Sequence, residues 1–166
     1  MEVYWLLVLH LVGDYVLQSE WMAMGKTTRT APALAHAVLY TAPFWFLMPS
    51  WYALLLVGGT HFVIDRWRLA RYVCWLKNFL APAESLAAPV TRDQMTQGAV
   101  YRPSREDPNK FCQIVAWHQP WSKCKDTGYY GGRPAWLAVW LMIIADNTLH
   151  IAFNGLAWHL FSTGRL

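Results

Sequence analysis

Residues 30–64 read TAPALAHAVLYTAPFWFLMPSWYALLLVGGTHFVI and contain no Asp, Glu, Lys or Arg. A helix that crosses a membrane needs about 20 mainly apolar residues, within a range of roughly 17–25. This run is too long for one such helix, and each half reaches span length once its flanks are added. Pro49-Ser50 divides it, because proline cannot continue a helix. Two other stretches are almost as bare: residues 3–19 carry one charge, Asp14, and residues 134–164 carry one, Asp146. The pattern predicts spans near residues 3–22, 31–48, 51–77 and 134–161. The expected fold is all-α: a four-helix transmembrane bundle with an irregular polar insert between helices 3 and 4.

The whole chain agrees with this uneven distribution. Its 166 residues are 55% hydrophobic and 14% charged, against roughly 25% charged in ordinary soluble domains. Mean hydropathy is nevertheless only +0.18, so the apolar residues are concentrated in segments. The deficit of charge argues against a disordered chain, an acidic tail or a typical soluble enzyme. A soluble bundle with buried core helices is the competing reading, and uncharged runs of this length disfavour it. The N-terminal run does not read as a secretory signal. Glu2 stands where a basic segment belongs, and Asp14 lies inside the apolar stretch.

Lys and Arg set the expected orientation. Lys26 and Arg29 lie between the first two spans, and Arg66, Arg68, Arg71 and Lys77 lie at the end of the third. The positive-inside rule places these loops in the cytoplasm and both termini outside. This predicts a multi-pass protein of the inner (cytoplasmic) membrane. Tryptophans fall near the expected span ends, with Trp5, Trp45, Trp51 and Trp158 outside and Trp21, Trp67, Trp75 and Trp136 inside. The division is residues 1–81 for three membrane helices, 82–133 for a polar cytoplasmic insert or cap, and 134–166 for the last helix.

The insert holds seven basic and five acidic residues. That balance is too weak for a nucleic-acid footprint, which needs clustered positive charge. Trp117 and Trp121 suggest that it packs on something. Cys112, His118 and Cys124 lack the paired short spacing of a zinc site. A Cys112–Cys124 disulfide is compatible with the loop length, but the expected cytoplasmic side opposes it. Cys74 reads as a core residue near a helix end. Gly25-Lys26-Thr27-Thr28 looks like the end of a phosphate-binding loop, but Glu20 stands where that motif needs glycine. No serine lies beside a His–Asp pair to act as a nucleophile.

The informative residues are the polar ones inside the spans. The first span carries His10, Asp14 and Gln18; the second His36 and Tyr40; the third His61 and Asp65; the fourth Asp146, His150 and Asn154. Successive members are four apart, so each span presents one polar stripe. By helical rise, Asp14 lies roughly 16 Å from the outer end of its span and Asp65 roughly 21 Å from its own, so the stripes overlap in depth. An ionisable group at the bilayer centre costs at least ~2.5–3.5 kcal/mol. Three Asp and four His need mutual pairing or a cation. Neutral His and ionised Asp both ligate metals, and a mixed N/O set suits Zn, Mn or Fe. Seven ligands exceed one tetrahedral site, which suggests two ions, or one ion with outer carboxylates orienting the His rings. Each pair bonding only its own i+4 neighbour, as glue between helices, is the simpler alternative.

The stretch HLVGDYVLQ from His10 to Gln18, followed by Met22 and Lys26, resembles the opening signature of a bacterial and phage membrane-protein family. That family is catalogued as domain of unknown function 3307. LAHAVLY around His36, HFVID from His61 to Asp65, and DNTLH from Asp146 to His150 resemble its later signatures. The resemblance covers about residues 5–75 and 135–160. Arg68 stands where the pattern has Lys, Asn147 where it has Gln, and the insert 82–133 lies outside it. The family's activity is unassigned. Its motif style is similar to that of inner-membrane proteins described as metal-dependent hydrolases, which implies hydrolysis only by analogy.

The expectation is therefore an integral membrane, metal-dependent hydrolase acting on a phospholipid or lipid-linked phosphate. His10, Asp14, His36, His61, Asp65, Asp146 and His150 would hold one or two divalent ions (Zn, Mn or Fe). His36, Asp65 and Gln18 would take part in catalysis. Lys26, Tyr40, Arg68, Arg71 and Asn154 would bind substrate. The bilayer and an anionic lipid are the expected partners, with oligomerisation open and no nucleic acid. A small proton- or ion-translocating protein and a non-catalytic membrane interaction protein are the alternatives.

Overall fold

The computed structural model describes residues 2–80, 89–97, 101–113, 120–129 and 135–161. The chain is mostly helical. Six α-helices are present among the described residues: α1 (Glu2–Leu11), α2 (Glu20–Gly25), α3 (Thr30–Thr41), α4 (Trp51–Trp67), α5 (Ala70–Lys77) and α6 (Ala135–Phe161). Three short strands follow α5: β1 (Pro89–Val90), β2 (Tyr101–Pro103) and β3 (Phe111–Gln113). Two compact units result, Met1–Leu69 with Asp146–Leu166, and Ala70–Ala145.

Among the described residues only α6 is long and apolar enough to cross a membrane. The other expected spans are interrupted, each for a local reason. The first, expected over 3–22, is α helix only to Leu11. A π-helical turn runs from Val12 to Val16, closed by Leu17 N–H donating to the Val12 carbonyl at 2.9 Å. The chain then leaves the helix at Ser19, whose hydroxyl accepts from Met22 N–H and starts α2, with Glu20 in its first turn. The second expected span tightens after Thr41 into a 3-10 turn, Ala42–Phe46, with Pro43 near its start. Proline removes an N–H that an α-helix needs. The third, expected to continue to residue 77, stops at Arg68. That residue adopts the left-handed conformation, φ 51° and ψ 53°, with its N–H on the Asp65 carbonyl. Leu69 N–H donates to Ile64, closing a C-cap of the kind usually made by glycine.

The first unit is organised around Tyr40. Its ring is fully buried with Leu6, Phe44, Met48, Ala53, Val57 and Ala157 in one apolar cluster. Gly13 makes room for it, since a Cβ there would come within 2.5 Å of Tyr40 Cδ2. Gly58 plays the same part where α4 meets α3: a Cβ there would lie 2.7 Å from Thr41 Oγ1. Arg66 Nη1 donates to the Thr27 carbonyl at 2.9 Å and ties the end of α4 to the α2–α3 turn.

The second unit corrects the expectation of an irregular insert. Its strands form an antiparallel sheet in the order β1-β3-β2, with Cys112 opposite both Pro89 and Arg102. Trp121 stacks on Tyr72 at 4.5 Å and meets Trp75 edge-on, and the Arg71 guanidinium lies over Trp121. Asn78 Nδ2 donates to the Gly128 carbonyl at 2.8 Å. Gly128 has φ +81°, and a Cβ there would collide with the Arg71 carbonyl. Cys74 is a core residue, as expected, with its thiol directed at the Leu141 carbonyl. Cys112 and Cys124 are free thiols, so the disulfide does not form. His118 and Trp117 lie outside the described residues.

Two measurements check this packing. Gly13→Ala should destabilise the protein by about 1–3 kcal/mol, the usual range for overpacking a filled core, seen as a lower thermal midpoint. Burial pushes the Cys124 thiol above its ordinary pKa, whereas Cys112 is partly accessible. Cys112 should therefore react with a maleimide much faster than Cys124 at neutral pH. Equal rates would contradict the described burial.

Candidate metal centre

Four elements of the first unit bring acids and imidazoles to one place. The π turn after α1 carries Asp14, α3 carries His36, α4 carries His61 and Asp65, and α6 carries Asp146 and His150. Asp14, His36, His61 and Asp65 are all buried, and each offers a donor atom within 4.8 Å of the others. His36 Nε2 is 3.1 Å from Asp14 Oδ1 and 3.3 Å from Asp65 Oδ2. His61 Nε2 is 3.5 Å and 3.2 Å from the same two oxygens. Ligands about 2.1 Å from a tetrahedral ion sit about 3.4 Å apart, and all four His–Asp separations fall near that value.

Their directions matter as much as their distances. His61 Nε2 is buried and makes no hydrogen bond among the described residues, although Asp65 Oδ2, which pairs with the Lys26 ammonium, is only 3.2 Å away. A buried ring nitrogen left without a hydrogen bond beside two carboxylates is what a ligand aimed at a shared centre presents. His36 Nε2 faces the Asp14 acceptor at 3.1 Å and the Lys26 ammonium donor at 3.3 Å. One tautomer cannot serve both. The four side chains form a donor set that could hold a metal ion. Nδ1 of His36 and Nδ1 of His61 make no hydrogen bond among the described residues, so these rings lack the outer acceptor common at metal centres.

Lys26 is the basic residue drawn into the group. Its ammonium lies 2.9 Å from Asp65 Oδ2, with the side chain 17% exposed. Lys26, expected to bind substrate, forms an ion pair with a buried carboxylate. The pairing is sensible, because an ionised carboxylate removed from water costs several kcal/mol unless it is compensated. With neutral imidazoles, Asp14, Asp65 and Asp146 against Lys26 leave two negative charges.

His10 was expected as a ligand, but it belongs to neither group of converging donors. Its Nδ1 lies 3.5 Å from Asp14 Oδ2, but both of its nitrogens also have hydrogen-bond partners outside those groups. Nε2 donates to Asn147 Oδ1 at 2.6 Å, and Nδ1 accepts from the Tyr40 hydroxyl at 2.9 Å. That hydroxyl accepts in turn from Asn154 Nδ2 at 2.6 Å. Tyr40 and Asn154, expected to bind substrate, form one buried hydrogen-bonded chain with His10. The Tyr40 ring stacks on His61 at 3.6 Å, so this chain braces the His61 ring. Asn147, noted in the sequence only as a departure from the family pattern, is the partner of His10. Gln18 Oε1 is buried without a hydrogen bond among the described residues. Arg68 is the α4 cap, and Arg71 belongs to the second unit, where it donates to the Lys125 carbonyl.

A mostly helical protein with a buried His–Asp cluster able to hold a metal ion is thus the class defined by fold and site. The chain belongs to the family described as Protein of unknown function (DUF3307), whose sequence model matches residues 3–95. The match includes His10, Asp14, Lys26, His36, His61 and Asp65 and stops short of Asp146 and His150. It also enters the insert as far as residue 95, beyond the extent of the motifs. No curated protein and no solved structure matches the chain.

If the Lys26 ammonium competes with a cation for Asp65, Lys26→Met should tighten divalent-cation binding by on the order of tenfold, about 1.4 kcal/mol. Calorimetric titration with Mn2+ checks this. Weaker binding by the variant would show that Lys26 supports the centre rather than competing for it.

Proposed function

We propose that the protein is an integral membrane, metal-dependent hydrolase that acts on a phospholipid or a lipid-linked phosphate. The observation that carries this reading is the convergence of Asp14, His36, His61 and Asp65 inside a unit whose outer surface is apolar. His36 and His61 are essentially inaccessible, whereas Val16, Val38, Phe46, Trp51, Tyr52 and Leu55 are largely exposed. In water that distribution leaves a large apolar surface uncovered. In a bilayer it is the stable one, with apolar side chains toward lipid and ionisable groups toward the bundle interior.

α6 supports the same reading, since only 11% of its most apolar window is buried. The shorter helices would span with help from their 3-10 and π extensions, giving four crossings, both termini outside, and residues 82–133 in the cytoplasm. Residues 1–81 and 134–166 would then be the membrane part, in the inner membrane, and self-association remains compatible with the exposed faces.

A bound divalent ion supplies a Lewis acid and a more acidic water. The chain's residues do the rest. Asp14, His36, His61 and Asp65 hold the cation, and the Tyr40 stack fixes His61. Lys26, released from Asp65, presents a positive charge to a phosphate oxygen, with Arg68 close in sequence to the cluster's Asp65. Hydrolysis joins the water oxygen to phosphorus and breaks the P–O ester bond, and the water's proton leaves on the departing oxygen. His36 directs Nε2 into the ligand group, so its geometry favours holding the cation over carrying that proton. A second reading, proton or ion translocation, draws on the relay from Asn154 through Tyr40 to His10, which continues to Asn147. A non-catalytic partner of another membrane protein has no specific feature in its favour.

The test is turnover by detergent-purified protein on phospholipid and lipid-phosphate substrates with Zn, Mn or Fe. Activity should disappear with a chelator and return with metal. Asp14→Asn and His61→Ala should each lower it by at least about a hundredfold, the upper end of what outer-sphere changes cost. Metal-loaded protein that turns over none of these substrates, yet carries a pH-dependent flux in proteoliposomes, would replace the hydrolase with the translocator.

A further inference from the structure

Asp65 divides its two oxygens between two sets of neighbours. Oδ2 faces His36 at 3.3 Å, His61 at 3.2 Å and Lys26 at 2.9 Å. Oδ1 faces His150 Nε2 at 3.5 Å. His150 Nε2 is also 3.5 Å from Asp146 Oδ2. Asp65, Asp146 and His150 thus form a second group whose donor atoms lie within 4.8 Å of one another. His150 is almost completely buried, and its Nε2 makes no hydrogen bond among the described residues despite two carboxylate oxygens in range. That is the pattern shown by His61 in the first group.

We infer that the centre holds two divalent cations bridged by the Asp65 carboxylate, and that the second position, on Asp65, Asp146 and His150, is the one open to substrate. The inference rests on the metal reading above and goes beyond it in cation number and in the side of approach. A carboxylate that gives one oxygen to each of two ions suits a separation of about 3.5–4 Å, the spacing of two-metal hydrolytic centres. The two positions also differ in kind. The first has four protein ligands, all buried, as closed tetrahedral sites do. The second has three, and Asp146 is 29% exposed. Three protein ligands and an open place are the arrangement of catalytic sites, which leave room for water or a substrate oxygen. The charges agree. Asp14, Asp65 and Asp146 cannot neutralise two divalent ions, so the centre would carry surplus positive charge at its exposed edge. The ligand class selected there is an anion with an oxygen donor, such as a phosphate ester.

Elemental analysis of the full-length, detergent-purified protein after loading with Mn2+ and removal of excess tests this. Wild type, Asp146→Asn, His150→Gln and His61→Ala would be compared, with circular dichroism and gel filtration confirming that each is folded. Asp146→Asn is the safest of these, because its side chain is the least buried of the ligands. Two Mn2+ per chain in wild type are expected, with exchange coupling between them in the paramagnetic resonance spectrum. One Mn2+ should remain, and the coupling vanish, in Asp146→Asn and His150→Gln. One uncoupled Mn2+ in wild type, retained in Asp146→Asn and lost in His61→Ala, would overturn the second position and leave the first standing. No Mn2+ in folded wild type would overturn both.

Discussion

Two carboxylates, Asp14 and Asp65, sit in the apolar interior of the first unit, and most of what surrounds them answers the cost of placing them there. Asp14 is 7% exposed and Asp65 4%. Hydrophobic packing cannot offset an unpaired charge of that kind, since the penalty is several kcal/mol per ion. Four imidazoles (His10, His36, His61 and His150) and one ammonium are therefore gathered around them. Asp65 is the centre of this arrangement. It touches Lys26, His36, His61 and His150, which come from three helices and the residue that caps α2.

The interruptions of the helices follow from the same requirement. A continuous helix over residues 3–22 would leave no π turn at Gly13-Asp14 and no turn at Leu17–Ser19. It is the π turn that carries Asp14 and lets Tyr40 approach through Gly13, and such turns recur at functional sites. The Ser19 cap starts the short helix that ends at Lys26 and delivers its ammonium to Asp65. On α4, the left-handed turn at Arg68 ends the helix one turn beyond Asp65. Around the cluster, Tyr40 is both the largest apolar element of the core and the hinge of a polar relay. It stacks on His61 and hydrogen-bonds His10, so that apolar packing and site geometry are one structure.

The polar positions were legible from the sequence because ionisable groups in uncharged runs stand out, and because four-residue spacing puts them on one face. That reasoning could say which residues face inward. It could not say which would share a ligand shell. His10 and His36 look equivalent on spacing alone, yet one is spent on Tyr40 and Asn147 and the other meets both aspartates. The breaks at the Ser19 cap and at Pro43 escaped a reading that followed uncharged runs, because a cap or a missing N–H acts over a single turn. At Arg68 no glycine or proline marks the stop. The sheet in the insert was hidden by the shortness of its strands, two or three residues each, too few for an alternating pattern.

By itself the sequence determined that the chain is mostly helical, that long runs of it are almost free of charge apart from a few inward positions, and that His and Asp are its chemistry-bearing residues. Periodicity and composition are local properties, and local properties suffice for that. Tertiary structure alone decided that Lys26 pairs with Asp65, that Asn147 closes the far side of His10, and that Asp65 shares its oxygens between two groups. These depend on distances between residues tens of positions apart, and such distances are set only when helices pack against one another at particular angles and heights.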